Sequence, residues 1–211
     1  ALSRETEHNE RKILELSKPE SFSLYVGIPF CPSRCSYCSF VMASIERAEK
    51  LIEPYTKLLC EEIKQTAEIA NKLGLRLETV YFGGGTPTTL SAEQLDTVLG
   101  TVNKSFDMST CREFTVEAGR PDTIDIAKLF ALKENKVDRI SINPQTVNDE
   151  VLKTIGRKHT AQQFFDAFEL ARKCGFDNIN TDLIAGLPTD TPESFKNSLD
   201  SIVRLNAECI T

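Results

Sequence analysis

Cysteines 31, 35 and 38 stand within GIPFCPSRCSYCSF (27–40), so three of the chain's seven thiols are crowded into eight residues. Thiolates are soft ligands that select zinc, copper(I) or iron–sulfur clusters. Three of them at this spacing can hold three corners of a cubane cluster. No fourth cysteine lies nearby in sequence, which would leave one iron open to an outside ligand. A structural zinc site takes four ligands, and here the fourth would have to be His8, His159 or a distant cysteine. A redox dithiol or disulfide needs fewer groups than the loop offers, and buried inert thiols need no regular spacing. The scattered Cys60, Cys111, Cys174 and Cys209 read as small apolar side chains in the core. An odd cysteine count in a chain of 211 residues is unlike a secreted disulfide framework. It suits a cytoplasmic protein with one metal site.

The elements around this loop alternate. FSLYVGI (22–28) is a strand. A helix follows on Leu51, Tyr55, Leu58, Leu59, Ile63, Ala67, Ala70 and Leu73, closed by Gly74. LETVYF (77–82) is the second strand. Ser91 then caps a helix with Gln94 in the capping-box position and Leu95, Val98, Leu99 and Val102 as its stripe. EFTVE (113–117) is the third strand, followed by a helix from Asp122 or Thr123 carrying Ile124, Ala127 and Phe130. DRISI (138–142) precedes a short helix after Asn148 and a longer one over Thr160–Lys173. NINTDLI (178–184) is the fifth strand. A helix opened by Thr191-Pro192 turns Phe195, Leu199, Ile202 and Val203 inward, and AECIT (207–211) begins a sixth strand.

This alternation means βαβ units and a parallel sheet, either doubly wound or a partial barrel. The cysteine loop falls just beyond the C-terminal end of the first strand, where such sheets place their sites. Residues 1–21 form a helical or frayed extension, and 22–211 form one domain. The chain stops on a bare strand, so a further C-terminal part is expected.

Other residues are compatible with binding. GGGTP (83–87) is a strand-to-helix turn or a close approach to a ligand, and lacks the GK[ST] of a phosphate loop. Glu117, Gln145 and Asp182 end successive strands on one side of the sheet. Arg157 is suited to a bidentate carboxylate contact or is an exposed helix-end arginine. Tyr25 is a core or site residue, and His159 a surface or capping one. The net charge of −6 and pI near 5.1 argue against nucleic acid or an anionic membrane as partner. No apolar run nears the roughly 20 residues of a membrane span, and ALSRETEHNE is no signal or transit peptide.

CxxxCxxC with Tyr37 before the last cysteine resembles the signature of radical S-adenosylmethionine (SAM) enzymes. YVGIPFCPSRCSYC is similar, more narrowly, to the oxygen-independent coproporphyrinogen-III oxidase family. YFGGGTPTTL (81–90), EFTVEAGRPDTI (113–124), RISINPQT (139–146), GRKHT (156–160) and NTDLIAGLPTDT (180–191) agree, and VEAGRP and SINPQT resemble its HemZ branch, the coproporphyrinogen dehydrogenases. The resemblance implies a partial (β/α)6 barrel of parallel strands, an open sheet curved around a cluster site. It implies a [4Fe–4S] cluster on Cys31, Cys35 and Cys38. It assigns SAM to Tyr25, Tyr37, Gly83, Gly84, Gly85, Thr86, Glu117, Gln145, Arg157 and Asp182. It further implies coproporphyrinogen III or a related porphyrin as substrate, a one-electron donor such as flavodoxin or ferredoxin, and a cytoplasmic location. The best-established oxidases of that family carry a fourth cysteine where this chain has Phe40, whereas haem-chaperone relatives and the HemZ branch carry an aromatic there. A haem chaperone on the same fold is therefore the alternative.

Overall fold

The computed structural model describes residues 2–40 and 43–211. Helix α1 (Leu2–Leu14) leads into strand β1 (Ser21–Ile28) and the short β2 (Phe30–Cys31), which pairs with β3 (Ala43–Ser44). There follow α2 (Ile45–Lys72), β4 (Arg76–Gly84), α3 (Ala92–Ser105), β5 (Glu113–Glu117), α4 (Ile126–Glu134) and β6 (Arg139–Ser141). The chain continues through α5 (Asp149–Thr154), α6 (Ala161–Lys173), β7 (Ile179–Thr181), α7 (Pro192–Val203) and β8 (Cys209–Ile210).

The main sheet has six strands in the order β1-β4-β5-β6-β7-β8, every pair parallel. Strand order never reverses, so there is no doubly wound switch point. Successive right-handed crossovers carry the connecting helices to one face and leave the other to line a concave lumen. Among the described residues β1 pairs only with β4 and β8 only with β7, so the partial barrel is open between its first and last strands.

Side-chain alternation divides the two faces. Val80, Phe82, Phe114, Val116, Ile140 and Ile179 join the apolar core beneath the helices. Tyr81, Thr115, Glu117, Arg139, Ser141, Asn180 and Asp182 line a polar cavity on the lumen side. Burying one large aliphatic or aromatic side chain in that core contributes about 1.5–3 kcal/mol, so the helix-facing stripe sets the register of the polar one.

Most elements lie where the periodicity puts them, and the exceptions have local causes. The buried stripe of α2 is Ala48, Ile52, Leu59, Cys60, Ile63, Ala67 and Ala70, whereas Leu51, Leu58 and Leu73 are exposed. The leucine-rich stretch carries two adjacent stripes at helical spacing, and packing selects one. Helix α4 starts at Ile126, later than expected, because Asp122 and Thr123 are engaged elsewhere. Asp122 pairs with Arg120, and Thr123 Oγ1 donates to the Arg120 carbonyl. Asp125 takes over as cap, accepting from Lys128 N at 2.9 Å. Phe130 is thereby exposed, while Leu129 and Leu132 are buried.

In α7 the inward residues are Ser198 and Ile202, and Leu199 and Val203 are exposed. The Ser198 hydroxyl accepts from Val147 N at 3.1 Å, which docks the helix on a polar side chain that hydrophobic patterning does not see. Of the scattered thiols only Cys60 is buried; Cys111, Cys174 and Cys209 are half-buried. The described side chains of α1 are exposed.

Candidate active site

The cysteine segment is clamped between two glycine turns. On one side Gly85 N donates to Ile28 O and Thr86 N to Phe30 O, each at 2.7 Å. A Cβ on Gly85 would lie 2.6 Å from Phe30 O and 2.8 Å from Ile28 O. The last glycine of the GGGT turn is therefore required by the chain's own backbone, independently of any ligand. Thr86 Oγ1 then reaches Cys31 Sγ at 3.3 Å.

On the other side a small second core of Val151, Leu152, Ile155 and Leu187 anchors α5. Its last turn receives the loop: Ser36 N donates to Ile155 O at 3.0 Å and Ser33 Oγ to Gly156 O at 2.9 Å. Gly156 has φ +79°, and a Cβ there would lie 2.8 Å from Arg34 O. Two long-range contacts thus hold a loop that has little regular structure of its own.

Cys31, Cys35 and Cys38 line one cavity of about 180 Å³ together with Tyr37, Gly84, Gly85 and Thr86. Glu117, Gln145 and Asp182, at or just beyond the C-terminal ends of β5, β6 and β7, line it too, together with Arg157 from the turn after α5. Two residues expected there do not line it. Tyr25 is 61 % exposed and stacks on Tyr81 with ring centroids 6.0 Å apart. Gly83 lies beneath, where a Cβ would meet the Tyr81 ring at 2.7 Å. A larger groove of about 680 Å³ runs beside α2 and α3, lined by surface residues such as Lys57, Glu61 and Gln94, and brings no reactive set together.

Burial dominates the electrostatics of the cavity. It raises the Glu117 carboxyl above the usual range, and the Asp182 charge adds to this. The Tyr81 hydroxyl donates to Glu117 Oε1 and opposes the shift. Burial pushes the Cys31 thiol up, with the Thr86 hydroxyl and Arg120 pulling it back. Burial also takes the Tyr37 phenol to about 12, against the pull of Arg157. The Arg157 guanidinium is occupied: Nε and Nη2 donate to the Tyr37 hydroxyl at 3.2 and 2.9 Å. Its Nη1 donates to the carbonyls of Gly119 at 2.9 Å and Asn143 at 3.0 Å. Arg157 thereby fixes the aromatic residue between the second and third cysteines.

The site also contains unsatisfied groups. Gln145 sits at φ +68°, a conformation that a residue with a Cβ adopts at a cost of order 1–3 kcal/mol, and its buried Oε1 has no partner. Asn143 Oδ1, on the same cavity wall, has none either. Buried acceptors without donors are rare in folded chains, and here they face a cavity with room for a ligand. Among the described residues no three His, Cys, Asp or Glu side chains converge on a single-ion position. Soft thiolates around a cavity fit a multi-iron cluster, and the orphaned amide oxygens fit a polar organic ligand beside it.

A family model described as the Radical SAM superfamily matches residues 25–202. The chain belongs to the radical SAM superfamily. Members use a [4Fe–4S] cluster and SAM. The chain is 42 % identical over 193 residues to the oxygen-independent coproporphyrinogen-III oxidase-like protein HemZ of Bacillus subtilis, covering 91 % of this chain and 38 % of that one. It is 41 % identical over 191 residues to the heme chaperone HemW of Lactococcus lactis, covering 90 % and 47 %. Among solved structures, coproporphyrinogen III oxidase (HemN) from Escherichia coli superposes with a TM-score of 0.79 at 30 % identity, covering 95 % of this chain and 46 % of that one. The chain thus spans less than half the length of these relatives. No helix among the described residues is long and apolar enough to cross a membrane.

In this radical SAM domain the sequence reading leaves out three cavity residues, Gly119, Arg120 and Asn143, and marks Phe40 only as the position of the relatives' fourth cysteine. Arg120 carried a signal, as a lone cation between Gly119 and Pro121 just after a strand that ends at the site. His159, expected at the surface or as a cap, is instead fully buried, and neither ring nitrogen has a hydrogen-bond partner. Burial first, then Arg157 and Arg120, lower it to about 4, while Asp122 Oδ1, 3.9 Å from Nδ1, opposes them. In the unfolded chain His159 binds a proton below about 6.5, so between about 6.5 and 4 the unfolded state takes up a proton that the folded state refuses. Stability is lost as pH falls through that window, by up to about 3 kcal/mol. Urea titrations from pH 7 to pH 4 are expected to show a shallower acid loss for His159→Met than for the parent chain. Equal slopes would contradict the buried neutral state.

Proposed function

We propose that the protein holds a [4Fe–4S] cluster on Cys31, Cys35 and Cys38, binds SAM against the ends of β4 to β7, and acts as a radical SAM oxidoreductase on coproporphyrinogen III or a related porphyrinogen. The observation that carries this reading is the convergence of three thiols, two orphaned amide oxygens and the Gly84–Thr86 backbone on one cavity. When bound, cluster and SAM together supply a 5′-deoxyadenosyl radical that removes a hydrogen atom from substrate.

The chain's own residues bind and orient. The half-buried Glu117 carboxylate accepts from an amino or hydroxyl group of SAM, and Gln145 and Asp182 line the same wall. Asn143 Oδ1 and Gln145 Oε1 take donors that they lack inside the protein. Arg157 keeps Tyr37 over the cysteine loop and has an Nη2 hydrogen left for a carboxylate. The exposed Phe40 ring is an apolar part of the cavity lining. The reductant would be a one-electron donor such as flavodoxin or ferredoxin.

The second reading is a haem chaperone. It is favoured by the 41 % identity to HemW and by an aromatic residue at Phe40. One anaerobic experiment separates the two. With reconstituted protein, SAM, reductant and coproporphyrinogen III, 5′-deoxyadenosine is expected to accumulate in step with loss of carbon dioxide from the propionates. A haem titration that raises a stable Soret band, with no decarboxylation, would replace the oxidase reading by the chaperone one.

A further inference from the structure

Arg120 is buried at 3 % exposure, and no ligand is needed to explain its geometry. Its Nη1 points at Cys35 Sγ, 3.6 Å away, and at Ser33 O, 3.3 Å away. Its Nη2 donates to Ser33 Oγ at 2.9 Å, and its Nε to Asp122 Oδ1 at 3.3 Å. The guanidinium therefore sits against the middle cysteine, with its fork oriented by three oxygen acceptors. Asp122 is the single carboxylate paired with it, and beyond Asp122 stands the neutral His159. Arg157, the other buried cation of the site, makes no bond to a cysteine; its donors go to Tyr37 and two carbonyls.

A lone arginine could be only a loop clamp, and the bonds to Ser33 do that work. The contact to Cys35 Sγ adds nothing to the clamp. It places an N–H and a positive charge against a sulfur that carries negative charge once a metal displaces its proton. Hydrogen bonds to ligating sulfurs and nearby charge are the means by which proteins set cluster potentials. Both stabilise the more negative, reduced state.

We propose that Arg120 is a positioning residue that donates to the Cys35 thiolate and raises the reduction potential of the cluster bound there. The proposal rests on the cluster reading above. Its test is a spectroelectrochemical titration of the one-electron couple in reconstituted protein without SAM, so that the readout is independent of turnover. The parent chain must first take up iron and sulfide and develop the broad band near 400 nm; if it does not, the cluster reading fails and Arg120 is not the cause.

Given a cluster, Arg120→Met is expected to lower the ratio of reduced to oxidised cluster about tenfold at a fixed potential, a shift of about 59 mV for one electron. Ser33→Ala removes the bond from Nη2 to the serine hydroxyl and leaves the sulfur contact, so its potential is expected to match the parent. If Arg120→Met assembles no cluster, Arg120→Lys is the variant to titrate, with an expected potential below the parent because one ammonium cannot reproduce the fork. A parent-like potential in whichever arginine variant is titrated, or an equal shift in Ser33→Ala, would show that Arg120 acts only on the loop.

Discussion

Cys35→Ala is expected to abolish cluster assembly and to leave the fold in place. The parent, reconstituted anaerobically, should carry about four irons per chain with a broad absorbance near 400 nm. The variant should retain less than a quarter of that iron and lose the band. Cys35 is one of three thiols on the cavity, and two thiolates cannot hold a cubane against an open corner. The fold survives because Cys35 belongs to neither hydrophobic cluster, and the loop is held by the bonds of Ser33 and Ser36 to α5. Far-UV circular dichroism should be unchanged, with a stability loss of about 1 kcal/mol from the missing sulfur. Cys60→Ala, remote from the cavity, is the matched control and should keep its iron. A full cluster in the Cys35 variant would mean that the ligand set is wrong.

Gly85→Ala is expected to destabilise the fold and the cysteine segment together. The new Cβ would lie 2.6 Å from Phe30 O, 2.8 Å from Ile28 O and 3.0 Å from Phe30 C, all of them backbone atoms. No side-chain rotation relieves such contacts, so the β1–β2 segment must move away from the turn. It would break the 2.7 Å bonds from Gly85 N and Thr86 N and draw Cys31 from Thr86. Overpacking of this kind costs about 1–3 kcal/mol, which in a domain of this size lowers the melting temperature by roughly 2–12 °C. Cluster loading should fall with it. Gly100→Ala, in α3, is the opposite case. Its Cβ would meet only Asn135 Oδ1, at an ordinary 3.6 Å, and replacing a helical glycine gains up to about 1 kcal/mol. Calorimetry on the two variants should therefore show shifts of opposite sign. A Gly85 variant as stable as the parent would mean that the glycine turn does not seat the cysteine segment.

These two variants separate what was legible in the sequence from what was not. The cysteine triplet was legible because ligand sets of this kind are local: three thiols within eight residues are read directly. Caps were legible for the same reason. Ser91 and Thr160 each form a capping box with the glutamine three residues on, and Asn148 caps α5. Strand-helix alternation named the layers, since a period of two and a period of 3.6 are properties of neighbouring residues.

The GGGTP turn was only half legible. Its residues alone allow a strand-to-helix turn or an approach to a ligand, and the structure shows that its third glycine is required by Phe30 and Ile28, more than fifty residues earlier in the chain. The sequence marks Arg157 as a carboxylate partner or an exposed helix-end arginine, and does not show that it is buried and holds Tyr37, 120 residues away. Arg120 was missed, although it touches the middle cysteine across 85 residues. Sequence by itself determined the alternating elements, their caps and the thiol triplet, because each is encoded within one or two turns of backbone. The tertiary structure alone decided which helix stripe is buried, which arginine meets sulfur and which amides are left without partners. Those outcomes depend on distances between segments that are set only when the sheet has curved and its polar face has closed around a shared cavity.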